Sequence, residues 1–146
     1  MSTLTLAQAS TIIDTALTHG RRAGLKPLCV VVLDAGGHML ALKREDQASF
    51  GRPHIATAKA AGCLALGFGG REIARRAQER PAFYAALGGV LPQGLLPVPG
   101  GVLIRAADGI LLGAVGVTGD TSANDEACAV AGISAAALIA DTGAAA

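Results

Sequence analysis

Apolar residues recur along this chain in two rhythms, and the change from one to the other predicts its elements. Thr5 and Gln8 have the spacing of a capping box, and Ile12, Ile13, Ala16 and Leu17 follow at helical intervals until Gly20 and Gly24 end the pattern. Residues 28–33 (LCVVVL) are a short β-branched run between Pro27 and the sequence Asp34-Ala35-Gly36-Gly37, after which residues 38–43 (HMLALK) resume an extended pattern. Strand, tight turn and strand predict a hairpin, whose Asp and Gly residues suit a turn with positive φ angles.

Residues 45–53 (EDQASFGRP) are polar and turn-rich, whereas residues 54–66 (HIATAKAAGCLAL) predict a helix whose Ala and Gly surface lets another backbone come close. Gly67 to Gly70 interrupt it, residues 71–80 predict a charged helix, and Pro81 begins a short helical piece through Leu87. Residues 88–101 (GGVLPQGLLPVPGG) hold too many breakers for a regular element and too many apolar side chains for a solvated linker, which predicts a packed or functional loop. Residues 102–106 and 110–118 flank the turn Ala107-Asp108-Gly109 and predict a second hairpin. Asp120 to Asn124 form a polar loop with good N-cap candidates, capping also accounting for Asn124 and Asp125, and residues 125–140 then predict a final small-residue helix carrying Asp125 and Glu126 where they favour its dipole. Helix, hairpin, helices, hairpin, helix predicts a single α/β (α+β) domain over residues 1–146: one antiparallel sheet built from two hairpins, with helices packed on it.

Composition adds an expectation about assembly. Charged residues make up 16% of the chain against a typical value of about 25%, so part of its apolar surface is expected to face other subunits. A net charge of +1 and 3% aromatic residues leave neither the basic stripe nor the stacking platform that nucleic-acid binding needs. Arg71, Arg75, Arg76 and Arg80 are interleaved with Glu72 and Glu79 and read as a solvated helix face laced with ion pairs. Cys29, Cys63 and Cys128 are odd in number, far apart and set in apolar stretches, which marks them as core residues rather than zinc ligands. The opening MSTLTLAQAS has no basic region followed by an apolar one, and Gly and Pro break every low-charge stretch before the roughly 20 residues of a bilayer span. A cytoplasmic protein without membrane partners is the expectation.

Four blocks stand out in order: VVLDAGGHMLALKRED at 31–46, the pair Lys59-Ala60, PVPGGVLI at 97–104 and GAVGVTGDTSANDEACAVAG at 113–132. Together they resemble the signature blocks of the GlcG/HbpS family of haem-binding, so-called haem-degrading, domains. The resemblance implies a profilin-like sandwich, assembly into a homo-oligomer, dimer or octamer, and a haem or related tetrapyrrole ligand in some members. It implies no settled catalytic activity and no cofactor other than haem.

The candidate chemistry gathers around the same blocks. Consecutive glycines in Pro99-Gly100-Gly101 either leave backbone amides bare as an anion-binding nest or simply turn the chain into a strand. Arg44, Lys59 and Thr118 join them as candidate ligand-binding residues. Glu126, Asp120 and His54 are the candidate proton-transfer groups, the two carboxylates being neutralised by Lys59 or Arg44. No spacing supports a metal site. Haem asks for an axial ligand, an apolar slot and cations for its propionates. His19, His38, His54 and Tyr84 are the candidate ligands, with Arg44, Arg52 and the Arg71 to Arg80 cluster as cations, and no histidine is flanked by an aromatic slot. His54 draws notice because Phe50, Arg52 and Lys59 surround it in sequence. Three readings stay open: a haem or other small-ligand binder, a metal-free acid–base enzyme acting on a small carboxylated or hydroxylated metabolite, and a non-catalytic oligomeric accessory or sensor protein. A pocket is expected where the four blocks converge, with the Arg44 end of the first hairpin near the 99–101 and 118–126 loops and the helix carrying His54 and Lys59 over one side, so that Gly101→Val is expected to block a ligand without abolishing folding.

Overall fold

A computed structural model describes residues 3–145. The chain runs α1 (Leu6–Arg22), β1 (Cys29–Asp34), β2 (Met39–Arg44), α2 (Arg52–Leu66), α3 (Gly70–Glu79), α4 (Pro81–Leu87), β3 (Gly101–Arg105), β4 (Leu111–Thr118), α5 (Ser122–Ala135) and β5 (Ile139–Asp141). Both expected hairpins form, and the sheet has the order β2-β1-β4-β3-β5 with every neighbouring pair antiparallel. The hairpins meet through β1 and β4, where Cys29 pairs with Thr118 and Asp34 with Gly113.

Strand alternation sorts the side chains into two cores. Val30, Val32, Val102, Ile104, Val115 and Val117 face α1 and α5, against Ile12, Ile13 and Ile133. Cys29, Val31, Leu33, Leu103 and Ala114 face α2 and α3, against Ala56, Ala60, Cys63 and Ile73. Because β1 is covered on both faces it reads as an unbroken apolar run. Each fully buried Ile, Leu or Val contributes about 1.5–3 kcal/mol, and the helices on the two faces complete the profilin-like sandwich.

Thr5 and Gln8 form the capping box of α1, with Oγ1 and Oε1 each accepting a backbone N–H at 3.0 Å. Three expectations need correction at the other elements. First, α2 begins at Arg52 rather than His54, since Pro53 suits the first turn of a helix. Second, α5 begins at Ser122 rather than Asp125, capped by Thr121 of the polar 120–124 loop, whose hydroxyl accepts the N–H of Asn124. Third, α5 stops at Ala135, Ala137 turns the chain with a φ of 59°, and residues 139–141 become a fifth strand paired with β3.

The small residues of α2 and α5 serve close approaches inside the chain. A Cβ on Gly116 would run into the Ala56 carbonyl of α2, and one on Gly132 into the Ile12 carbonyl of α1. These helices therefore do not by themselves point to subunit contacts. All three cysteines are buried and unbridged, and burial pushes the thiols of Cys29 and Cys128 up to about 11 and that of Cys63 up to about 12. Among the described residues no helix is long and apolar enough to cross a membrane.

Candidate functional site

Lys59, Thr118 and Asp125 are the buried polar side chains among the described residues, and the fold brings them to one place. Lys59 projects from the middle of α2 and donates to the Val117 carbonyl at 3.0 Å and to Asp125 Oδ2 at 3.2 Å. Asp125 Oδ1 accepts the N–H of Asp120 at 3.0 Å, and Thr118 Oγ1 accepts a 2.8 Å bond from Arg52 Nη1. Burial pulls the Lys59 ammonium down and the Asp125 carboxyl up from their ordinary values, and their mutual contact offsets part of that. No buried side-chain nitrogen or oxygen among the described residues lacks a partner. Such a cluster ties α2 to β4 and α5, and each of its buried polar atoms has a protein partner.

The 99–101 loop packs closely against the same cluster. The Gly100 carbonyl accepts the N–H of Val117, and a side chain there would meet Lys59 Nζ at 2.8 Å. A Cβ on Gly101 would strike the Lys59 carbonyl and come within 2.7 Å of Cys63 Sγ. The space beside Gly101 is thus filled by the backbone of α2, and Gly101→Val must disturb folding, contrary to the sequence-based expectation. Pro99 lies within the same turn, next to the buried Gly100.

The proton-transfer candidates have other partners. Glu126 is held by Arg71 in a two-pronged ion pair with bonds of 2.8 and 3.0 Å, not by Lys59 or Arg44. Arg71 stays exposed and finds its ion pair on α5 rather than on its own helix, while Glu72 keeps the expected pairing with Arg76 and adds Arg75. Asp120 accepts from the Lys26 and Thr121 amides and from Asn124 Nδ2, which hold its carboxyl down near about 2. Arg44 donates to the Ala48 carbonyl and lines a separate cleft of about 530 Å³ with Arg21, Glu45 and Asp46. His54 faces another hollow of about 410 Å³, beside Met39 and Pro92. Asp120 and Glu126 flank Asp125, the partner of Lys59, but each carboxylate is engaged by other groups, and His54 borders a different hollow.

At the opposite end of β1 lies an open, apolar hollow of about 350 Å³ lined by Leu4, Leu40, Leu111 and Leu112, with His38 and Asp34 at the turn. Asp34 Oδ1 accepts the N–H groups of Gly36 and His38 at 2.9 and 3.0 Å, which shapes the hairpin turn with Gly37 at a φ of 85°. These bonds, led by that from His38, hold its carboxyl below the usual range. The same oxygen lies 3.2 Å from His38 Nδ1. Sequence reasoning named His38 and explained Asp34 as a turn residue; the four leucines come from three separate segments, so no local pattern announced the hollow.

The sequence profile of the family described as "Haem degrading protein HbpS-like" matches residues 4–134. The chain belongs to that family. Within it, the fold is close to a solved complex of PduOC with haem: the TM-score is 0.83 at 23% identity, covering 98% of this chain and 100% of the other. Klebsiella pneumoniae protein ORFY gives a TM-score of 0.83 at 26% identity, covering 94% and 92% of the two chains. A double mutant of Streptomyces reticuli HbpS gives 0.79 at 27% identity, covering 92% and 87%. No curated protein matches the chain significantly.

Proposed function

We propose that this HbpS-like chain binds haem or a related tetrapyrrole and does so as a homo-oligomer. The observation that carries the reading is membership of the family over residues 4–134, and the haem complex of a protein with the same fold along its whole length points the same way. The residues present fit such a ligand at the leucine-lined hollow. It offers apolar walls for a flat ring and an imidazole beside them, whereas the Lys59 cluster offers only satisfied polar groups. Bound haem supplies a redox-active iron with axial positions that a protein side chain can fill. This chain's leucines would supply an apolar wall for the ring and His38 a candidate ligand, at a hollow of about 350 Å³. Binding is accordingly weak, and turnover awaits an external reductant.

Assembly rests on the low charge and on exposed Met39, Phe50, Val90 and Ile110, not on the small-residue helices. Titration with ferric haem tests the ligand. A shifted Soret band with a saturable end-point is expected, and an unshifted spectrum overturns the haem reading in favour of the accessory or small-metabolite ones. Light scattering at micromolar concentration tests the assembly, where a stable particle of the 14.5 kDa chain mass overturns it.

A further inference from the structure

We propose that His38 is the axial ligand of the iron, through Nε2, with Asp34 as the residue that fixes its ring. The assignment rests on the haem reading above and adds to it one coordinating atom and one positioning group.

The geometry separates His38 from the other candidates. A carboxylate can only accept, so in the neutral imidazole the 3.2 Å contact between Asp34 Oδ1 and His38 Nδ1 puts the ring proton on Nδ1 and leaves the Nε2 lone pair free. Metal-binding histidines are held in this way, with the second ring nitrogen on a carboxylate or carbonyl that orients the ring and strengthens its donor atom. Asp34 is itself fixed, because Oδ1 is anchored by the Gly36 and His38 amides at the tight end of the β1–β2 hairpin. The imidazole lies over that turn, in the space that a Cβ on Gly36 would enter, 2.8 Å from its Cε1. Its side chain is 81% exposed, which leaves the coordinating edge open, while Leu4, Leu40, Leu111 and Leu112 wall the adjoining hollow. No basic side chain lines that hollow among the described residues, so the propionates point to water.

The alternatives lack this combination. His54 borders the hollow beside Met39 and Pro92 but has no carboxylate partner among the described residues. His19 stands in the last turn of α1, among Arg21 and Arg22, an unfavourable setting for a metal cation. Tyr84 is buried in the core under α2.

Ferric haem titration of wild type, H38G, H54G and D34N, each checked for folding by circular dichroism, tests the assignment. Wild type and H54G are expected to give the same shifted Soret band. H38G is expected to bind at least about tenfold more weakly and to regain the band when imidazole is added. D34N keeps an oxygen for the turn amides but loses the charge; its ferrous complex is expected to show a lower iron–imidazole stretching frequency by resonance Raman, a readout that a role confined to the turn would leave unmoved. H38G titrating like wild type, or H54G losing the band in its place, overturns the assignment while leaving haem binding intact. An unshifted wild-type spectrum removes the haem reading itself, and the assignment with it.

Discussion

Two acid–base pairs sit at the two ends of the sheet, and their surroundings give them opposite characters. Lys59 and Asp125 meet in a closed seam, 5% and 1% exposed, where every polar atom has a protein partner. His38 and Asp34 meet at a hairpin tip beside an open hollow, with one imidazole nitrogen held and the other free. A pair that is sealed and fully satisfied acts on the fold, because any ligand must first break its bonds. An exposed pair with a spare lone pair acts on ligands, because coordination costs it no existing bond. Chemical identity alone therefore does not mark a site; the unoccupied valence and the space beside it do.

The largest effect that tests this contrast is expected at the seam. Asp125→Ala leaves the Lys59 ammonium buried with only the Val117 carbonyl, and removing one member of a buried pair typically costs about 3–5 kcal/mol. Urea unfolding should show that loss. Replacing both residues by apolar ones (K59M with D125L) should recover part of it, and a stable Asp125→Ala protein would sink the structural role. Gly101→Ala comes next, since its Cβ meets the backbone of α2, which cannot swing aside as a side-chain tip can. Overpacking of that kind costs about 1–3 kcal/mol, read from the same unfolding curves.

Acid should act through a different set of groups. Asp120 and Glu72 are held down to about 2 from ordinary values of 3.8 and 4.5, Glu72 by Arg75 and Arg76 and Asp120 by Asn124 and two amides. A folded-state value below the unfolded one means that the unfolded chain takes up protons first, so the stability they contribute is present above about pH 4.5 and drains away towards pH 2. Thermal melts across that window should show the decline, and D120N and E72Q should each flatten it. The smallest effect is expected at the other pair: His38→Ala should change stability by less than about 0.5 kcal/mol, as exposed substitutions do, while altering the haem spectrum. A large loss of stability there would place His38 with the seam residues and erase the contrast.

Much of this architecture is readable from local chemistry. The capping box at Thr5 and both hairpin turns follow from spacing and turn residues. What escaped is what depends on distant partners. Residues 139–141 read as a helix because alanines surround them, yet pairing with β3 and the Arg105–Asp141 ion pair make them a strand. Arg71 reads as an exposed, ion-paired residue of its own helix, but its partner is Glu126, 55 residues away. Asp34 is legible as a turn residue and illegible as a partner of His38, because one oxygen serves both tasks.

The packing of α2 on bare strand backbone has a consequence for how this family will look when many of its members are compared. Gly101 and Gly116 cannot grow a side chain without striking a carbonyl of α2, so substitution there is filtered by folding whatever the ligand. In a saturation-mutagenesis map they would rank with functional positions although neither faces open space, while the leucines of the hollow, free to interchange with other apolar residues of similar volume, would score as permissive. Invariance in this fold would then trace the seam between helix and sheet, and the ligand-facing wall would be the more variable surface.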